Sequence, residues 1–408
     1  MLIEYKLLDR LSDEYGDSFY ILDSKQFENN YHDMLSAFRQ YYSDTYIAYS
    51  YKTNYIPKLC EIIKKNNGFA EIVSEMEGWL AYKVGVAPKD IYYNGPYKKR
   101  EYVEKCMLDG VHINLDSAYE IALVSEVAKR NMNREFEVGI RCNMDIGQDE
   151  SSRFGFDVGS GELFKTVLKL NTLQNIKVRG LHCHLPFRSL ESFKKRIHVL
   201  QEILSKMVDY NWSYISLGGG YMGKVSEELS KEFSFSPPSY KEYAEVVAGK
   251  MSEIYGNGFL KPKLIIEPGS ALVADTMQYV TRVIDIKRIA KKNIAILSGS
   301  IYNINPSTKG MKRPITIYRG NMSNDIYYET LDMGGYTCIE SDYLYRGYKG
   351  KLSVGDFVVF HNVGSYCLVM KPPFILPDVP VLELLDEKVL LIKQKQSEES
   401  IFADFYRE

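Results

Sequence analysis

The chain has little of what marks several common protein classes. Its 408 residues contain no apolar window approaching 18 residues without charge, so no membrane-spanning helix is expected. The first residues, MLIEYKLLDRLSDEYG, carry acids early and have no long apolar stretch, unlike a secretory signal. Lys and Arg number 51 against 53 Asp and Glu, a formal net charge of −2. There is thus no basic surplus for nucleic acid and no acidic tail. The six cysteines, Cys60, Cys106, Cys142, Cys183, Cys338 and Cys367, show no C-x-x-C spacing. Free thiols in a reducing, cytoplasmic setting are the expectation. Repeats and low-complexity tracts are absent, and no G-x-G-x-x-G follows the first strand-like segment.

What is present is a series of short apolar runs. They are IAYSY (47–51), AEIVS (70–74), IYYNG (91–95), VHINL (111–115), VGIRC (138–142), VRGLHCHL (178–185), YISLGGG (214–220) and KLIIEPG (263–269). Longer stretches between them read as helices. Residues 55–67 put Ile56, Leu59, Ile62 and Ile63 on one face, and 117–130 do so with Tyr119, Ile121, Ala122, Val124 and Val127. Asp116 is placed to cap the second, and 190–210 repeats Phe193, Ile197, Leu200, Ile203, Leu204 and Val208 at helical spacing. Eight strand–helix units in about 240 residues match a (β/α)₈ barrel over 27–269, with a doubly wound open sheet as the alternative. After residue 270 the texture becomes alternating and β-branched: 280–289, 293–302, 314–320, 326–335, 356–366 and 380–394. This predicts an all-β sandwich or barrel-like domain from 270–408, joined by residues 1–26 through the strand-like FYILD (19–23).

In such a barrel, chemistry sits at the C-terminal strand ends. Lys52 ends the first strand, where low dielectric lowers an amine's pKa and makes it nucleophilic. Alone it reads rather as a surface lysine whose stem covers apolar neighbours. His182 and His184 close the sixth strand on one face. Gly218, Gly219 and Gly220 close the seventh, as a backbone cradle for an anion requires. Glu267 closes the eighth. Singly these are a turn, a histidine pair and a strand-end acid, and no carboxylate at matching spacing completes a metal site. Taken in order they are the parts that hold pyridoxal 5'-phosphate: an amine for the aldehyde, glycines for the phosphate, an imidazole for the ring and an acid for the pyridine nitrogen.

The chain resembles the fold-type III pyridoxal-phosphate-dependent decarboxylases, the diaminopimelate and ornithine decarboxylase group with alanine racemase-like architecture. Y-S-Y-K-T-N resembles that family's Y-A-V-K-A-N, which implies that Lys52 is the Schiff-base lysine. GLHCHL implies that His184 stacks on the cofactor ring, SLGGGY the phosphate turn, EPG the contact of Glu267 with the pyridine nitrogen, and SRFGFD (152–157) the family's R/K-F-G stretch. Glu71 lies where the family has an acid near the lysine, although a solvated strand-end charge fits that position as well. C-I-E-S-D (338–342) resembles the segment whose cysteine reaches a partner's site, which implies a homodimer with shared active sites and Cys338 as proton donor. GSY implies a phosphate contact by Tyr366, and RPITIY a grip on a distal carboxylate by Arg313. Departures lie on the substrate side. Ile339 stands where an acid for a distal ammonium is usual, with Glu340 and Asp342 nearby. Ser270 replaces an arginine, Pro186-Phe187 replace Gly-Ser before Arg188, and Ser298-Gly299-Ser300 stand for D-G-G. The expectation is decarboxylation of an amino acid with an anionic far end, diaminopimelate-like or conjugated, rather than free ornithine or lysine. It assigns Arg188, Arg313, Glu340 and Asp342 to the substrate, although both arginines also read as surface residues. A racemase and a non-catalytic regulator are the alternatives.

Overall fold

The computed structural model describes residues 3–147, 152–256, 261–307, 310–320, 326–386 and 388–405. They form two compact units, one of residues 28–224 with 235–272, the other of 1–27, 225–234 and 273–408. In the first unit, eight strands form a closed parallel barrel: β1 (Thr45–Ser50), β2 (Phe69–Ile72), β3 (Ile91–Tyr93), β4 (His112–Leu115), β5 (Phe136–Asn143), β6 (Ile176–His182), β7 (Tyr214–Ser216) and β8 (Lys263–Ile266). Pairing of β1 with β8 and of β4 with β5 completes the ring, which excludes the open sheet.

All eight apolar runs overlap a barrel strand. They lack strict alternation because both faces are covered, one by the interior and one by helices. Ala48, Tyr92, Tyr214 and Ile265 belong to one buried cluster. Tyr214 is accommodated by glycine. A Cβ on Gly180 would lie 2.0 Å from its ring, and one on Gly139 would lie 2.2 Å from its hydroxyl.

The helices follow their apolar stripes, with three corrections. Pro57–Lys65 starts with proline in its first turn and buries Leu59, Cys60 and Ile63. In Ala118–Arg130 the N-cap is Ser117, not Asp116, whose carboxylate instead accepts from Arg141 at 3.0 Å. Tyr119 and Ala122 lie off the buried face and are exposed. The third helix, Leu190–Lys206, is capped by the Ser189 hydroxyl and stops before Val208, which is also exposed.

The second unit holds a mixed nine-stranded sheet. Its strand Met277–Ile289 pairs antiparallel with Ser18–Leu22, Lys292–Leu297 and Phe357–Phe360. Ser18–Leu22 pairs parallel with Val381–Leu385. The unit is not all-β. Helix Tyr5–Tyr15 buries Leu7, Leu8 and Leu11 against Phe19, Ile21, Val280, Phe357, Val359 and Leu382. A further strand, Tyr343–Lys351, borders the sheet where the sequence reading had none. No helix among the described residues is long and apolar enough to cross a membrane.

Candidate active site

Lys52 sits in a single 3₁₀ turn, Tyr51–Thr53, directly after β1. Its ammonium donates to the Ser50 hydroxyl at 3.0 Å and pairs with Glu71 at the end of β2. The side chain remains one-third exposed, whereas Glu71 is buried. The Ser50 hydroxyl also bonds Glu71. A relay then runs across the barrel: Asn94 donates to Glu71 Oε1 at 3.0 Å, Asn114 to Asn94 at 2.8 Å, and the Tyr214 hydroxyl to Asn114 at 2.7 Å. One network therefore fixes the amine from five strands. Asn94 and Asn114 were not singled out in the sequence, although each sits at a strand end, as Lys52 does.

A second network surrounds Glu267, immediately after β8. Its Oε1 accepts from Ser216 at 2.6 Å and its Oε2 meets His182 Nε2 at 3.1 Å. Burial alone would raise this carboxyl's pKa, but the His182 imidazole and the Ser216 hydroxyl outweigh it and hold the group well below the usual range. The result is a buried, persistent anion. The partnership of His182 with Glu267 is a tertiary fact that spacing does not show.

His184 follows two residues on. The two imidazoles lie nearly parallel with centroids 6.5 Å apart. Gly219 N–H donates to His184 Nδ1 at 2.8 Å, so that nitrogen carries no proton. Burial, followed by the nearby Arg141 and Lys52 cations, pushes its pKa well below the ordinary value. His184 is thus a neutral, fixed ring.

The glycine turn is sterically obligatory. Gly218 has φ +63° and a Cβ there would lie 2.6 Å from His184 Cβ, while a Cβ on Gly219 would lie 2.7 Å from the Glu267 carbonyl. The Gly218 N–H bonds Ser216 Oγ at 3.1 Å. Two of the three glycine N–H groups therefore already have partners inside the protein. Arg188 is half-buried, with one guanidinium nitrogen 3.8 Å from Met222 Sδ.

The remaining sequence-derived candidates lie in the second unit. Five cysteines are buried, and Cys338 is the exposed one. It lies in the loop after strand Tyr327–Gly334, beside exposed Glu340. Asp342 is buried, and its carboxylate accepts from Ser300 Oγ, Ile301 N, Thr337 N and Thr337 Oγ1 at 2.7–3.2 Å. It ties that loop to the short helix Ile301–Ile304. Arg313 is buried, donating to Asn305 at 2.8 Å and to the Asn362 carbonyl at 2.9 Å, so it is not a surface residue. Tyr366 adopts φ +64° two residues after Gly364. Among the described residues, no group of three or more side chains is placed to hold a metal.

Comparison with known proteins defines the class. Residues 25–274 match the family model "Pyridoxal-dependent decarboxylase, pyridoxal binding domain", and the chain belongs to that family. It is a pyridoxal-phosphate-dependent carboxy-lyase. The chain is 26% identical to the diaminopimelate decarboxylase of Archaeoglobus fulgidus, over 88% of this chain and 86% of that one. It is 25% identical to that of Methanothermobacter thermautotrophicus, over 97% and 92%. Its fold matches the crystal structure of diaminopimelate decarboxylase from M. jannaschii with a TM-score of 0.86 at 22% identity, covering 98% of this chain and 94% of that one. The lysine/ornithine decarboxylase of Vibrio vulnificus, solved with putrescine, matches at 0.76, covering 93% and 98%.

The residues present fit the cofactor. A part-exposed primary amine is held at a strand end, a turn without room for side chains follows the strand two places along the ring, and a neutral imidazole and a buried anion complete the set.

Proposed function

We propose that the chain decarboxylates an amino acid carrying a second, distal carboxylate, of the diaminopimelate class, in a site completed by a second copy of the chain. When bound, pyridoxal phosphate supplies an electron sink for the pair left as the α-carboxylate departs as carbon dioxide. Lys52 Nζ would hold the cofactor at its aldehyde carbon, and Glu71 with Ser50 orients the amine. Glu267, held ionised by His182 and Ser216, keeps a proton on the pyridine nitrogen. His184 offers the flat face of a neutral imidazole to the ring. Gly218, Gly219, Gly220 and Tyr366 are assigned to the phosphate. Cys338 of a second copy delivers the proton that replaces the carboxylate on Cα.

The substrate assignment draws on two supports. The curated relatives aligned over nearly the whole chain are diaminopimelate decarboxylases. Arg313, buried and oriented by Asn305, is the donor for the distal carboxylate, with Arg188 as a second cation. The single observation that carries the catalytic reading is the Lys52–Ser50–Glu71 cluster at the ends of adjacent barrel strands. The test is carbon dioxide release from purified protein supplied with pyridoxal phosphate. Diaminopimelate is expected to exceed ornithine and lysine in kcat/KM by at least about 10-fold, the scale of one well-placed charged contact. Basic amino acids reacting fastest would overturn the substrate assignment.

A further inference from the structure

Helix Leu190–Lys206 carries a contradiction in its apolar stripe. Phe193, Ile197, Leu200, Ile203 and Leu204 face the barrel, and Arg196 stands among them. It is fully buried and, among the described residues, has no carboxylate partner. A buried cation without a counter-charge is costly. Burial pushes its pKa down to about 10, which leaves it charged at neutral pH. Its surroundings are neutral and aromatic: the guanidinium lies 4.1 Å from the Phe193 ring centroid, and Phe193 packs on Tyr221 and Tyr243.

Its hydrogen bonds all go to backbone carbonyls. One nitrogen bonds Gly219 O at 3.2 Å, and the other bonds Leu185 O at 2.9 Å and Phe187 O. These carbonyls belong to two loops, the glycine turn after β7 and the Leu185–Phe187 segment after His184. Its Nε has no hydrogen-bond partner. The chain contains no cis peptide among the described residues, so the Gly219 carbonyl and the Gly220 N–H point in opposite directions. A cation at the carbonyl end therefore turns the Gly220 N–H away from Arg196 and strengthens it as a donor. Gly218 and Gly219 spend their N–H groups on Ser216 and His184, so Gly220 supplies the remaining N–H of the turn.

We infer that Arg196 is a positioning residue for anion recognition: it supplies the missing charge behind the glycine turn and locks that turn to the Leu185–Phe187 loop, so that a phosphate ester, and not an uncharged analogue, is retained. This rests on the assignment of residues 218–220 to the cofactor phosphate. It also accounts for a cation buried without a carboxylate, because the ligand's phosphate is its counter-charge.

The test is equilibrium binding to cofactor-free protein, comparing pyridoxal phosphate with pyridoxal, for the parent, Arg196→Met and Arg196→Lys. Circular dichroism of each apo-protein checks folding. Arg196→Met is expected to weaken pyridoxal phosphate by about 10- to 100-fold, the scale of lost charged hydrogen bonds, while pyridoxal changes less than about threefold. Arg196→Lys keeps the charge but not the fork, so it should fall between parent and methionine. It is also the arm that decides the matter if the methionine variant does not fold. Equal weakening of both ligands would assign Arg196 a merely structural role and overturn the inference, as would no change. A parent protein that discriminates phosphate poorly would instead overturn the assignment of the turn itself.

Discussion

Ser216 is a small residue with two obligations, and its removal gives a quantitative test of the Glu267 network. Its hydroxyl is fully buried, donates to Glu267 Oε1 at 2.6 Å and accepts the Gly218 N–H at 3.1 Å. Ser216→Ala removes a hydrogen bond to a buried charge, worth about 1.5–3 kcal/mol, and orphans a backbone N–H at about 1–3 kcal/mol. The two bonds share one atom and are not additive, so a loss of about 2–4 kcal/mol is expected. Both tryptophans, Trp79 and Trp212, lie in the barrel unit, so their fluorescence during urea unfolding reports that unit alone. Ser205→Ala is the control, because its hydroxyl is exposed and bonds only the Glu202 carbonyl. The pH dependence has a definite sign. Glu267's folded pKa is held below its unfolded value of about 4.3, so the stabilisation is complete above about pH 5 and is lost as pH falls. The gap between parent and variant should thus be constant from pH 8 to about pH 5 and narrow below. A loss under about 0.5 kcal/mol, or a gap that widens on acidification, would refute an ionised Glu267 held by Ser216.

Three further perturbations address separate parts of the molecule. Cys338→Ala should slow turnover by about 10²- to 10⁴-fold, or divert it to side products, while cofactor absorbance is unchanged; parental rates would remove the thiol as proton donor. Glu77 is buried, with its carboxylate accepting the Val73 N–H at 2.7 Å, and burial raises its pKa to about 7. The folded state therefore keeps this proton longer than the unfolded chain, so stability falls as pH rises from about 4.5 to 7. Glu77→Gln should gain roughly 1–3 kcal/mol at pH 8 and almost nothing at pH 5, and an equal effect at both would contradict the shift. Gly180→Ala places a methyl 2.0 Å from the Tyr214 ring and should cost at least about 1–3 kcal/mol in thermal or urea unfolding, whereas parental stability would mean that the interior yields freely.

The barrel was legible because its strands are short apolar runs bounded by turn residues, and its helices carry a 3.6-residue stripe between them. The strand-end order of Lys52, His184, the glycine turn and Glu267 was legible for a related reason: barrel topology turns sequence order into adjacency at one rim. What escaped is tertiary. Nothing in the local sequence says that Asn94 and Asn114 relay to Glu71, or that His182 meets Glu267, because these partners lie on different strands. Arg196 left a readable sign, a charge inside an apolar stripe, but its three carbonyl partners come from two other loops. Strand Tyr343–Lys351 was missed because YLYRGYKGK is charged, glycine-rich and buries only Leu344 fully, as suits a sheet edge. Helix Tyr5–Tyr15 was hidden by its acids, although Leu7, Leu8 and Leu11 already mark one face.

The covalent role of Lys52 is the claim on which the proposed chemistry depends. It is tested most directly by borohydride reduction of the purified protein with pyridoxal phosphate, followed by proteolysis and mass spectrometry. A reduced pyridoxyl group is predicted on the peptide containing Lys52, and none is predicted in Lys52→Ala. Incorporation at another lysine, or none in the parent protein, would contradict the account.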